Sequence, residues 1–122
     1  MGIDAFTRLA DRLLTRVPPA LVDGLNGGIN ISPEAKQRPE DPPDVYILGE
    51  YVTDDYLGAF IVIYFGSFRA LFEDDEIEQE LWKTLLHEIR HHVEARAGID
   101  ALDREDLAEW HRLWQEAHAR DG

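Results

Sequence analysis

Between Glu73 and Gly98 the chain carries one long helical period, and this segment constrains the fold more than any other. Ile77, Leu81, Trp82, Leu85, Leu86, Ile89 and Val93 recur at helical spacing and form one broad apolar arc. Acidic residues crowd the start of the segment, where the helix dipole favours them, and Gly98 supplies the stop.

The rest of the chain reads as elements that can pack around such a helix. Residues 3–17 place Ile3, Phe6, Leu9, Leu13 and Val17 three and four apart, an amphipathic helix stopped by Pro18-Pro19. Residues 19–25 allow a short helical turn ended by the Gly24 and Gly27-Gly28 region, and residues 28–31 alternate like a brief strand. Residues 32–44 hold four prolines and many charges, the pattern of a surface loop. Residues 45–52 predict a strand, and residues 59–65 (AFIVIYF) a buried one, β-branched and aromatic. A last helix is expected over residues 103–119, with Leu107, Trp110, Leu113 and Trp114 as its apolar face. The expectation is a single α+β domain over residues 1–122: a helix, a small sheet, then two helices.

Composition narrows the chemistry. With no cysteine there is no disulfide, no thiolate nucleophile and no sulfur-ligated zinc, so any metal must be held by nitrogen and oxygen. Twelve Lys and Arg face 25 Asp and Glu, a net charge of −13, which disfavours binding to nucleic-acid phosphates and to anionic lipid. No stretch approaches the ~20 apolar residues that span a bilayer. Asp4, Arg8, Asp11, Arg12 and Arg16 interrupt the N-terminal apolar residues, which is unlike a signal peptide, so a cytoplasmic home is expected.

The long helix contains His87-Glu88-Ile89-Arg90-His91, an HExxH motif. Residues four apart lie on one helix face a turn apart, so two imidazoles at that spacing can close on one zinc ion. The intervening Glu88 points beside the ion and can act as general base toward a water the metal has acidified. With Ile77 at zero on a helical wheel, the apolar arc spans about 0–180°, while His87 and His91 fall at about 280° and 320°. Both histidines can therefore line a cleft without breaking the hydrophobic stripe.

A catalytic zinc usually keeps three protein ligands and an open position. Glu94 is the nearest candidate, three residues after His91 on the same stripe, with Asp100 and Asp103 beyond Gly98 as alternatives. Glu94 can equally orient an imidazole or pair with Arg90, and Asp103 suits the N-cap of the last helix. His92 falls inside the apolar arc and reads as a core histidine whose hydrogen bonds are met. His111 and His118, seven apart on the last helix, read as a surface pair. Tyr64 is the tyrosine best placed to steady an oxyanion, with a buried core role as its alternative.

HEIRHH, preceded by the apolar strand and YFGSF (residues 64–68) and followed by EARAGIDALDREDL, resembles the small bacterial zincin-like metallopeptidases, long catalogued as a domain of unknown function. The resemblance covers residues 6–114, with the doubled His91-His92 as its most specific sign. It implies a minimal zincin: a small sheet beside an active-site helix, cytoplasmic, with zinc-dependent proteolysis. Shorter relatives read HExxHxxGxxD, the Asp serving as third ligand; here Glu94 stands at the Gly position and Ala97 at the Asp position. No methionine follows the motif, since Met1 is the only one.

The expected activity is hydrolysis of a peptide or protein substrate, laid as an added strand on an edge supplied by residue 45 or residue 59 onward. The alternative is a non-catalytic binding or metal-sensing domain with an incomplete zinc site, favoured by Ala97. Trp110 and Trp114 allow either a homodimer contact or packing onto the chain's own core.

Overall fold

The computed structural model describes residues 1–119. In chain order it contains α1 (Ile3–Leu14), α2 (Pro19–Val22), β1 (Ile29–Ser32), β2 (Gly49–Asp54), β3 (Gly58–Tyr64), α3 (Phe65–Leu71), α4 (Asp74–Ala97) and α5 (Arg104–His118). The architecture is α+β, as expected. The three strands lie in the order β1-β3-β2, with β1 parallel and β2 antiparallel to β3.

Helix α4 is the spine. Its N-terminus closes with the Glu73 N–H donating to the Glu76 carboxylate at 2.9 Å, and Asp74, Asp75 and Glu76 complement the dipole in its first turn. Ile77, Leu81, Leu85, Leu86 and Ile89 are completely buried, so the apolar arc is the core face. Phe6, Leu9 and Leu13 of α1, Leu21 of α2, Ile61 and Ile63 of β3, and Phe68 of α3 belong to the same core.

Three local differences from the sequence expectation have physical causes. The strand expected over residues 45–52 starts later, at Gly49, because Ile47 is engaged in an isolated bridge to Lys36 across the proline-rich loop. It ends later, at Asp54, because Thr53 and Asp54 pair with Ala59 and Gly58 in a hairpin. Asp54 shapes that hairpin by accepting from the Tyr56 and Leu57 N–H groups at 2.7 and 2.9 Å.

Helix α3 is the third difference, since no helix is expected there from the sequence. It starts directly after β3, and Phe65 and Phe68 pack on Phe6 with ring centroids 4.9 and 5.2 Å away. Gly66 makes room for the loop beside it: a Cβ there would stand 2.5 Å from the Ala35 nitrogen. Lys36 N–H in turn donates to the buried Ser67 hydroxyl at 3.0 Å. Among the described residues, no helix is long and apolar enough to cross a membrane.

Candidate active site

The strand β2 lies at the edge of the sheet and runs beside α4, and the HExxH segment faces it. Register explains which groups meet. Leu48 accepts from the Tyr64 N–H at 2.9 Å, so Gly49 and Tyr51, the alternate positions, turn their backbone N–H groups outward. The outward N–H of Tyr51 is turned toward the Glu88 carboxylate and favours its charged form.

Glu88 is only 7% exposed, an unusual burial for a carboxylate. Burial raises its pKa above the ordinary value and the nearby Glu50 adds to this, against the pull of His91, the Tyr51 N–H and Arg90. Gly49 permits the close fit. A Cβ at that position would stand 2.9 Å from Ile63 Cδ1 and 3.3 Å from Glu88 Cγ.

His87 and His91 are exposed neighbours on one side of α4, their ring centroids 5.8 Å apart and their planes perpendicular. Tyr51 stacks beside His91 at 6.1 Å. The pKa of His87 is lowered, first by the partial loss of water around its ring and then by Arg90, His91 and His118. An open cleft of ≈ 380 Å³ has His87 and Glu88 on one wall, Leu48 and Gly49 on another, and His118 of α5 closing it.

His92 is the buried histidine that the helical wheel implies. Its Nε2 lies 2.7 Å from the Asp23 carbonyl and its Nδ1 2.8 Å from the Tyr51 hydroxyl. A carbonyl only accepts, so Nε2 carries the hydrogen and Nδ1 accepts from Tyr51. Tyr51 thus touches both His91 and His92 and turns its N–H toward Glu88. Tyr51 was not among the residues expected from sequence; its inward position on a strand is visible only once β2 has its register.

The remaining sequence candidates lie elsewhere. Glu94 is exposed, with Oε1 3.5 Å from Arg90 Nε, and lines a second hollow against Trp110, His111 and Trp114 of α5. Asp103 caps α5, accepting from the Asp106 N–H at 2.8 Å. Asp100 is exposed past the end of α4, in the left-handed region with φ 55°. Tyr64 is 8% exposed on the far face of the sheet and donates to Glu50 at 2.8 Å. Among the described residues, no three His, Cys, Asp or Glu side chains are gathered closely enough to hold a metal ion.

Comparison with known proteins gives the family and a similar fold. Residues 18–113 match the family described as zincin-like metallopeptidase. A conserved hypothetical protein from Thermus thermophilus, of known structure, is similar over 80% of this chain and 98% of its own, with 37% identity and a TM-score of 0.70. No curated protein matches.

Proposed function

Because the chain belongs to the zincin-like metallopeptidase family, we propose that it hydrolyses peptide bonds at a zinc site held by His87 and His91, with Glu88 as general base. The observation that carries this reading is the buried Glu88 carboxylate, faced by the Tyr51 N–H and opening into the cleft that His87 lines. The two imidazoles fit zinc: they stand one helical turn apart, water-accessible, in a chain without a thiolate. When bound, zinc supplies Lewis acidity, acidifying a water and polarising the scissile carbonyl.

The protein's own groups account for the proton and the substrate. Glu88 accepts the proton of the attacking water and passes it to the departing amine. Burial keeps bulk water from competing for that proton. The close backbone of Gly49 limits where that carboxylate can lie, and the Tyr51 N–H faces it. Of the two strands expected to offer an edge, β3 is paired on both sides and β2 has a free one, so an extended peptide adds to β2 alongside the cleft.

The test is Glu88→Gln, assayed on a broad peptide library beside the wild type and His91→Ala. The amide keeps the size of the side chain but cannot take a proton, so turnover should fall roughly 10²–10⁴-fold with zinc content unchanged. His91→Ala should lose stoichiometric zinc. Unchanged turnover in Glu88→Gln removes Glu88 from the mechanism.

A second reading, a binding or metal-sensing domain without catalysis, is favoured by Ala97 at the position where shorter relatives carry Asp and by the absence of a gathered three-donor group among the described residues. Wild-type protein that holds zinc and cleaves nothing in the library supports that reading instead.

A further inference from the structure

Helix α5 packs against α4 so that the Arg90 guanidinium lies 5.3 Å from the centre of the Trp114 ring, and His118, one turn later, shares the cleft of His87 and Glu88. The sequence suggests a surface pair for His111 and His118, but the two have different surroundings. His111 lies beside Glu94 in the other hollow. His118 stacks on Trp114, ring centroids 4.3 Å apart and planes within 24°, and its Nδ1 is 2.8 Å from the Trp114 carbonyl.

That carbonyl can only accept, so Nδ1 carries the ring hydrogen and the lone pair of the neutral imidazole is left at Nε2. Metal-ligating histidines are characteristically prepared in this way, one ring nitrogen donating to a carbonyl and the other turned to the ion. We propose that His118 supplies the third protein donor, reaching from α5 with Nε2 to the zinc held by His87 and His91.

The inference rests on the zinc reading of the HExxH pair and adds the donor that the motif lacks here. Each carboxylate considered from sequence has another engagement or location: Glu94 with Arg90, Asp103 in the cap of α5, and Asp100 beyond the end of α4. Their distance also tells against the last two. From His91 to Ala97 the helix rises roughly 9 Å along its axis. The three imidazoles are not gathered in this conformation. His118 is the last residue of α5, and a terminal turn is the part of a helix that shifts most cheaply.

The experiment is zinc affinity, measured by competition with a chromophoric chelator at neutral pH, on wild type, His118→Phe, His111→Phe, Glu94→Ala, Asp100→Ala and Asp103→Asn. Phe at position 118 keeps a ring on Trp114 and removes the nitrogen. His118→Phe should weaken zinc binding by about 10-fold or more, and the absorption spectrum of the cobalt-substituted protein should change with the lost nitrogen. The other four variants should stay close to wild type. In the wild-type protein, nitrogen NMR of the histidine rings should show the His118 Nε2 resonance moving with those of His87 and His91 on adding zinc, a readout that needs no variant to fold. Wild-type zinc affinity in His118→Phe, or a His118 resonance indifferent to zinc, overturns the proposal while the HExxH reading stands. A wild-type protein that binds no zinc overturns both.

Discussion

The two faces of the three-stranded sheet are built to different rules. The face toward α4 carries Ile29 and Ile31 of β1, Ile61 and Ile63 of β3, then Gly49 and Tyr51 of β2. It is greasy at its centre and becomes polar only at the β2 edge, where each polar group meets a partner from α4. The far face carries Asn30, Phe60, Val62, Tyr64 and Glu50, is less deeply buried, and is covered at one end by the proline-rich loop. Burial of hydrocarbon and placement of chemistry thus share one surface, while the other joins aromatic packing to a single tyrosine–carboxylate bond. The candidate site extends the core edge and meets the far face through the charge of Glu50.

Substitutions on the two faces should differ in effect, most of all at the greasiest point. Ile63 is fully buried between β1, β2 and the helix, so Ile63→Ala should cost ~2–5 kcal/mol of unfolding free energy, read by urea denaturation. A loss under ~1 kcal/mol would mean that the inner face is not the centre of the core. At the polar edge, His92→Phe keeps the volume but strands the Tyr51 hydroxyl and the Asp23 carbonyl. The expected loss is ~1–3 kcal/mol, with zinc affinity nearly unchanged because His92 turns away from the cleft. If zinc affinity collapses with it, the core edge and the site are one unit.

The far face should give the smallest effect. Tyr64→Phe removes one hydrogen bond to Glu50, about 0.5–1.5 kcal/mol at neutral pH. Its signature lies in alkali. Burial, helped by the bond and charge of Glu50, pushes the Tyr64 pKa up from 10.0 to about 12. Between those values the folded protein keeps a proton that the unfolded chain releases, so wild-type stability falls as pH rises through that window. Tyr64→Phe should flatten that part of the fall. An identical alkaline slope in both proteins would sever Tyr64 from its partner.

Much of this was legible in the sequence where a single segment carries its own period. Helix α4, with seven apolar residues at helical spacing, a crowded acidic start and Gly98, declares itself, and the same period places His92 inside and His87 and His91 outside. The cap role of Asp103 also follows from local chemistry. What was not legible depends on distant segments meeting. The proline-rich loop takes Ile47 out of β2, and Thr53 and Asp54 enter it through hairpin pairing that polar residues do not announce. Helix α3 has only two turns, begins without a break after β3 and contains Gly66, so its Phe65-Phe68 spacing merges with the preceding apolar run. Tyr51 and His118 owe their positions to β2 register and to the packing of α5 on α4, neither of which one segment can encode.

The meeting of the Tyr51 N–H with Glu88 also acts as a ruler for anything laid along β2. An incoming extended chain reads that edge as a row of outward donors and acceptors two residues apart. At Tyr51 it finds the donor facing a carboxylate already in place, so a ladder along this edge has a gap at that rung. An incoming strand must place a group there that needs no donor, and its phase relative to the strand follows from that one missing rung. The carboxylate beside the histidines would then also govern which peptide bond of an adding chain comes to rest over the cleft, a form of selection by spacing that needs no deep side-chain pocket.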